Sequence, residues 1–252
     1  MWISDVWVRR LNFLSLLLLT FLTPFLLLGL SGLFANVPPL NDVLLYGYWL
    51  QQIELGEPIF GLSQDFVYPY PSLLPMWLAK ALGGQAGILV GWTTLIALIN
   101  SLSIGVLTSW GRGGRSVMLA GAYWVSFLLL LGPAGIGRID AVAAAVSVLG
   151  LAALARERIG LAVALFTFGA WIKIWPFAIA LSVFVSEKRK QLVAISALAV
   201  IAAATIFAVA AGANSSLFSF IFKQGSRGIQ IESPIAMIWI WAAKLGLPDT
   251  GI

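Results

Sequence analysis

Ten acidic and fifteen basic side chains are all the ionisable acid and base in 252 residues, and cysteine and histidine are absent. That removes thiol nucleophiles, disulfides, Ser-His-Asp triads, and zinc or haem sites built on those ligands. Chemistry therefore has to come from Asp, Glu, Lys, Arg, Tyr or hydroxyls, with a hard divalent metal the only metal compatible with that set. Asp42, after Asn41, is a carboxylate just beyond the first long apolar run. It is placed either to cap a helix or to take a proton from a hydroxyl. Arg138 and Asp140 open a later apolar run in Gly137-Arg138-Ile139-Asp140. A local ion pair with a cap and a binding role suit them equally. Lys173 stands among Trp171, Ile172, Ile174 and Trp175. A cation there needs a partner anion or water, or must snorkel to the surface. Asp65, Tyr68 and Tyr70 lie in Gln64-Asp65-Phe66-Val67-Tyr68-Pro69-Tyr70-Pro71, and solvation is the default for Asp65 as for Glu57. The densest polar stretch, residues 223–233, carries Arg227, Gln230 and Glu232. Its glycines allow tight turns, and Arg227 could grip a phosphate bidentately.

The elements that must position these groups belong to a membrane. The chain is 60% hydrophobic and 10% charged, whereas soluble domains carry roughly 25% charged residues. A soluble globular protein is excluded. The pattern predicts an all-α polytopic membrane protein with about 7–8 crossing helices, some of them short. Residues 1–252 read as one transmembrane domain. Apolar runs cover 11–34, 86–108, 116–131, 141–155, 159–185 and 191–212, and a last apolar piece, 234–241, is interrupted by Lys244 and Pro248. The run 159–185 is broken by Lys173 and Pro176. A lysine at mid-membrane costs roughly 2.5–3.5 kcal/mol on insertion scales, and proline disfavours helix continuation. Two short helices with Lys173 at their outer tip remove both problems.

That topology puts Arg9, Arg10, Arg112, Arg115, Arg156, Arg158, Lys188, Arg189 and Lys190 on one side. By the positive-inside rule this side is cytoplasmic, as is the N-terminus. The net charge of +5 is explained there without a nucleic-acid partner. Asp42, Arg138, Asp140, Lys173, Arg227 and Glu232 fall outside, in the plasma membrane's outer face. Two extracytoplasmic loops are expected, 35–85 and 213–233. The first holds an amphipathic helix over 43–55, lying in the membrane surface with Tyr46, Tyr48 and Trp49 at headgroup depth. A second apolar helix covers 72–82.

Four places then give the chain a likeness to a known family. They are Asn41-Asp42 with Tyr46, Trp49 and Gly56-Glu57-Pro58; Tyr68-Pro69-Tyr70-Pro71; Arg138-Ile139-Asp140 with Lys173-Ile174-Trp175-Pro176; and Gln224 through Ser233. The chain resembles the GT-C membrane glycosyltransferases, specifically the actinobacterial polyprenyl-phosphate-mannose-dependent mannosyltransferases. The resemblance implies a GT-C-like fold and transfer of a sugar from a polyprenyl-phosphate donor to a glycolipid or polysaccharide acceptor, outside the cytoplasm and with inversion. It implies Asp42 as base, with Lys173, Arg227 and Arg138 holding the donor phosphate. Asp140, Gln230 and Glu232 would orient cations or sugar hydroxyls. No cofactor is implied. The family has more spans, so a truncated or minimal member is implied too. The competing classes are a transporter or flippase, which would line a central path with charges, and a non-catalytic membrane scaffold.

Overall fold

A computed structural model describes residues 2–34, 38–225 and 235–246. The described residues form eleven α-helices and no strand. They are α1 Trp2–Ser31, α2 Asn41–Glu54, α3 Leu73–Gly83, α4 Ile88–Leu107, α5 Arg115–Gly137 and α6 Asp140–Leu154, followed by α7 Ile159–Ile172, α8 Pro176–Ser186, α9 Lys190–Ala210, α10 Ser219–Gly225 and α11 Ala236–Lys244. Four stretches are long and apolar enough to cross a bilayer: Arg10–Ser31, Ile88–Leu107, Arg115–Gly137 and Lys190–Ala210. Helices α6, α7 and α8 are apolar but shorter. At 1.5 Å per residue they reach about 16–23 Å, less than the ~30 Å hydrocarbon core. The molecule is an all-α polytopic membrane protein.

Helix α4 lies at the centre, against α1, α2, α3, α5 and α6, while α7 packs on α6, α8 and α9. Its residues Trp92, Ile96 and Ile104 are fully buried. The main core joins this helix to α2, α3, α6 and the segment 60–68. Helices that pack on one another inside lipid still bury polar side chains, provided each finds a partner. Asn100 accepts from Trp124 Nε1 at 2.7 Å and donates to the Ile96 carbonyl at 2.8 Å. Ser103 donates to the Ala145 carbonyl at 3.0 Å and ties α4 to α6.

The long run 159–185 divides where the lysine and proline required. Helix α7 ends at Ile172 and α8 starts at Pro176. One apolar cluster contains Val163 and Phe166 of α7 with Ala180 and Val183 of α8, residues symmetric about Lys173, as a helical hairpin requires. Beyond the far end of α6, Arg156 donates to the Val106 carbonyl and to Ser109 Oγ at 2.5 and 2.8 Å, drawing the ends of α4 and α6 together. Arg156 and Asp140 therefore mark opposite ends of the bundle.

Some boundaries differ from the sequence reading. Helix α1 begins well before residue 11. Helix α5 continues past residue 131 to Gly137, because Gly132 takes φ 64° and lets the chain resume helix after Pro133. Only a residue without Cβ adopts that conformation cheaply. Tyr46 does not face the membrane surface: it is wholly buried, since Val43, Tyr46 and Leu50 form the inner face of α2. Tyr48 is exposed, and Trp49 is half-buried against the core.

Candidate active site

Asp42 lies in the first turn of α2, whose N-cap is Leu40 and makes no side-chain cap bond. The carboxylate is committed elsewhere: Asp42 Oδ2 pairs with Arg138 Nη1. Arg138 sits in the extended residue between α5 and α6. Asp140, the first residue of α6, pairs with Lys173 Nζ at 3.3 Å rather than with its neighbour Arg138. Trp175 Nε1 donates to the other oxygen of Asp140 at 3.0 Å. Lys173 Nζ also stands 4.9 Å from the ring centroid of Tyr68, within cation–π range. Its side chain is only 17% exposed. Lys173 is thus held by an anion and an aromatic face, which a snorkelling lysine would not need.

These groups line one cleft of about 340 Å³ formed by Asp42, Tyr68, Arg138, Asp140 and Lys173, with Leu130, Leu131, Ala134 and Gly135 of α5. It adjoins an apolar gap of about 200 Å³ between α5 and α6, where Trp124, Phe127 and Leu128 join Leu131, Ala134 and Gly135. Arg138 and Asp140 line both spaces. The bend at Gly132–Pro133 falls between two lining residues, Leu131 and Ala134. A polar head and an apolar chain on the same ligand would both find surface here.

Aromatic rings back the cleft. Trp49 meets Phe66 edge-on with centroids 4.9 Å apart, and Phe66 meets Tyr68 at 5.6 Å. Tyr46 packs on Trp92 at 4.9 Å. Burial pushes the Tyr46 phenol well above its ordinary pKa, and the nearby Tyr68 and Asp42 add to it, so it stays protonated through the neutral range.

Asp65 and Tyr70 do not line this cleft. Asp65 accepts from Ser216 Oγ at 3.1 Å and pairs with Lys223 at 3.2 Å, on the segment after α9. Tyr70 donates its hydroxyl to the Ala204 carbonyl at 2.7 Å, and burial raises its pKa. It lines a separate apolar groove of about 750 Å³ between α7 and α9. Arg227, Gln230 and Glu232 lie outside the described residues. Among the described residues no three carboxylates gather as a metal site.

Two residues of the site were not singled out as functional from sequence: Tyr46 and Trp92. Tyr46 accepts a hydrogen bond from the Ile139 amide at 2.9 Å, and Trp92 donates to the Ile136 carbonyl at 2.7 Å. The spacing of Asp42 and Tyr46, one helical turn apart, already placed them on one face.

Spanning helices with a cleft of acids and bases at one end of the bundle, beside an apolar gap, define a membrane protein with a polar site next to apolar surface. The family model of glycosyltransferase family 87 matches residues 66–243, more than two thirds of the chain. The chain belongs to that family and is a membrane glycosyltransferase. The matched region includes Tyr68, Arg138, Asp140 and Lys173 and begins after Asp42. No curated protein and no solved structure matches the chain.

Proposed function

We propose that this glycosyltransferase moves a sugar, mannose by its resemblance, from a polyprenyl phosphate to a hydroxyl of a glycolipid or polysaccharide at the outer face of the plasma membrane. The observation that supports this most is the meeting of Asp42, Arg138, Asp140 and Lys173, drawn from separate helix ends, in one cleft that opens beside an apolar gap. The isoprenoid would follow the gap and the phosphate would sit at the cations.

In the reaction, the acceptor oxygen attacks the anomeric carbon from the face opposite the phosphate. The bond between that carbon and the phosphate oxygen breaks, and Asp42 takes the hydroxyl proton. Configuration inverts, and polyprenyl phosphate leaves with the bonding electron pair. Its growing negative charge needs fixed cations, which preorganised groups supply without reorganisation at the moment of reaction. Lys173 and Arg138 have that role here, Arg227 joins them from the sequence reading, and Asp140, Gln230 and Glu232 orient the cations or the sugar.

The ion pair between Asp42 and Arg138 adds a coupling: a donor phosphate would compete for the guanidinium and free the Asp42 carboxylate to face the acceptor hydroxyl. A transporter has less support, because these charges lie at helix ends rather than along a path through the spans.

The test is sugar transfer in membranes supplied with labelled polyprenyl-phosphate mannose. Asp42→Asn should lower transfer by about 10²–10⁴-fold at equal protein level, the range of general-base catalysis. Full retention rejects Asp42 as the base.

A further inference from the structure

The chain has two residues in which to turn from α5 into α6: Arg138, extended at φ −107° and ψ 149°, and Ile139, helical at φ −57° and ψ −24°. Helix ends leave backbone donors and acceptors without partners, and burial makes each one costly. Ile136 and Ile139 are both fully buried, so water does not serve them. Two side chains from other helices do. Trp92 Nε1 of α4 donates to the Ile136 carbonyl at 2.7 Å, and Tyr46 Oη of α2 accepts from the Ile139 amide at 2.9 Å.

The two rings pack on each other at 4.9 Å and neither is more than 1% exposed. They form one unit that grips the backbone on both sides of Arg138 and next to Asp140. Tyr46 also stands one turn after Asp42 on α2. The same phenol therefore ties the helix carrying the carboxylate to the backbone carrying its cationic partner. A phenylalanine would fill the same space but could accept nothing from Ile139.

We infer that Tyr46, backed by Trp92, is a positioning residue: it sets the register between Asp42 and the Arg138–Asp140 connection, and acts on the reaction through Arg138. The inference rests on the transferase reading of the cleft, and its test separates the two. Tyr46→Phe, Arg138→Ala and the double variant are prepared as the full chain in lipid nanodiscs. Backbone hydrogen exchange is read over the peptide spanning 136–140, and labelled sugar transfer is read in parallel.

Tyr46→Phe leaves a buried amide unpaired, so exchange in that peptide should quicken by about tenfold or more, with the α9 peptides unchanged. Transfer should fall by about tenfold, and in the Arg138→Ala background Tyr46→Phe should add less than about twofold, since coupled residues are non-additive. Unchanged exchange, wild-type transfer, or losses that multiply in the double variant would overturn the inference. Full activity in Arg138→Ala would instead sink the transferase reading of the cleft, and the exchange result would then decide the positioning role alone. If Tyr46→Phe does not fold, Trp92→Phe removes the donor to Ile136 while keeping a ring. Faster exchange over the same peptide is expected there too, and unchanged exchange counts against the inference.

Discussion

Gly137→Ala tests the close approach on which the site geometry depends. A Cβ at this position would lie 2.6 Å from the Pro39 carbonyl oxygen and 2.8 Å from Leu40 Cδ2, and ordinary contact begins near 3.4 Å. The leucine methyl can rotate away, but the Pro39 oxygen is backbone at the entrance to α2. Either α2 or the α5–α6 connection must move by about 0.8 Å, an overpacking that typically costs about 1–3 kcal/mol. Gly137 is the last residue of α5, so alanine regains little helix propensity there. The net destabilisation is then about 1–3 kcal/mol, or a fall in Tm of about 2–12 °C for a chain of this size. The same displacement separates Asp42 from Arg138, and misplacement near 1 Å can cost about 10²-fold in rate. Transfer should therefore fall by about 10- to 100-fold. The assay is thermal unfolding of the purified protein beside labelled sugar transfer, with Gly29→Ala as control, because a Cβ there meets nothing within 4 Å. Wild-type Tm and wild-type transfer in Gly137→Ala would refute the argument that this contact sets the site.

The hairpin tip supports two further tests. Lys173→Met should lower transfer by about 10²–10³-fold, the loss seen when one preorganised donor is removed from a developing anion. The fold should lose no more than about 1 kcal/mol, because its partner Asp140 is substantially solvated; activity within threefold of wild type would take Lys173 out of the mechanism. Ile174→Cys introduces a single thiol into a chain that has none, at a side chain 50% exposed. Membrane-impermeant maleimide should label it from outside intact cells, and labelling only after the cytoplasmic face is opened would reverse the proposed orientation.

How far the sequence could be read depended on the range of the interaction that decided each feature. Charge-free runs and the break at Lys173 and Pro176 are local properties, and the helices follow them closely. Gly132-Pro133 is also local, yet the apolar run reads only to residue 131; a glycine at positive φ let α5 bend and continue, which composition does not distinguish from an ending. Helix α2 was legible as amphipathic, but not its orientation. Leu44, Leu45 and Tyr48 are apolar as well and face outward, so apolarity alone could not say that Tyr46 points inward.

The ion pairs show the boundary most clearly. Arg138 and Asp140 sit two apart, and residues at that spacing do not share a face. Arg138 instead meets a carboxylate 96 positions earlier, and Asp140 meets Lys173 across the α6–α7 packing. The sequence by itself determined that the chain dissolves in lipid, where its helices run, and that its isolated acids and bases lie near their ends, because burial of apolar side chains depends only on their types and order. Which acid meets which base was decided by tertiary structure alone, because those distances are set by how α2, α5, α6 and α7 pack together.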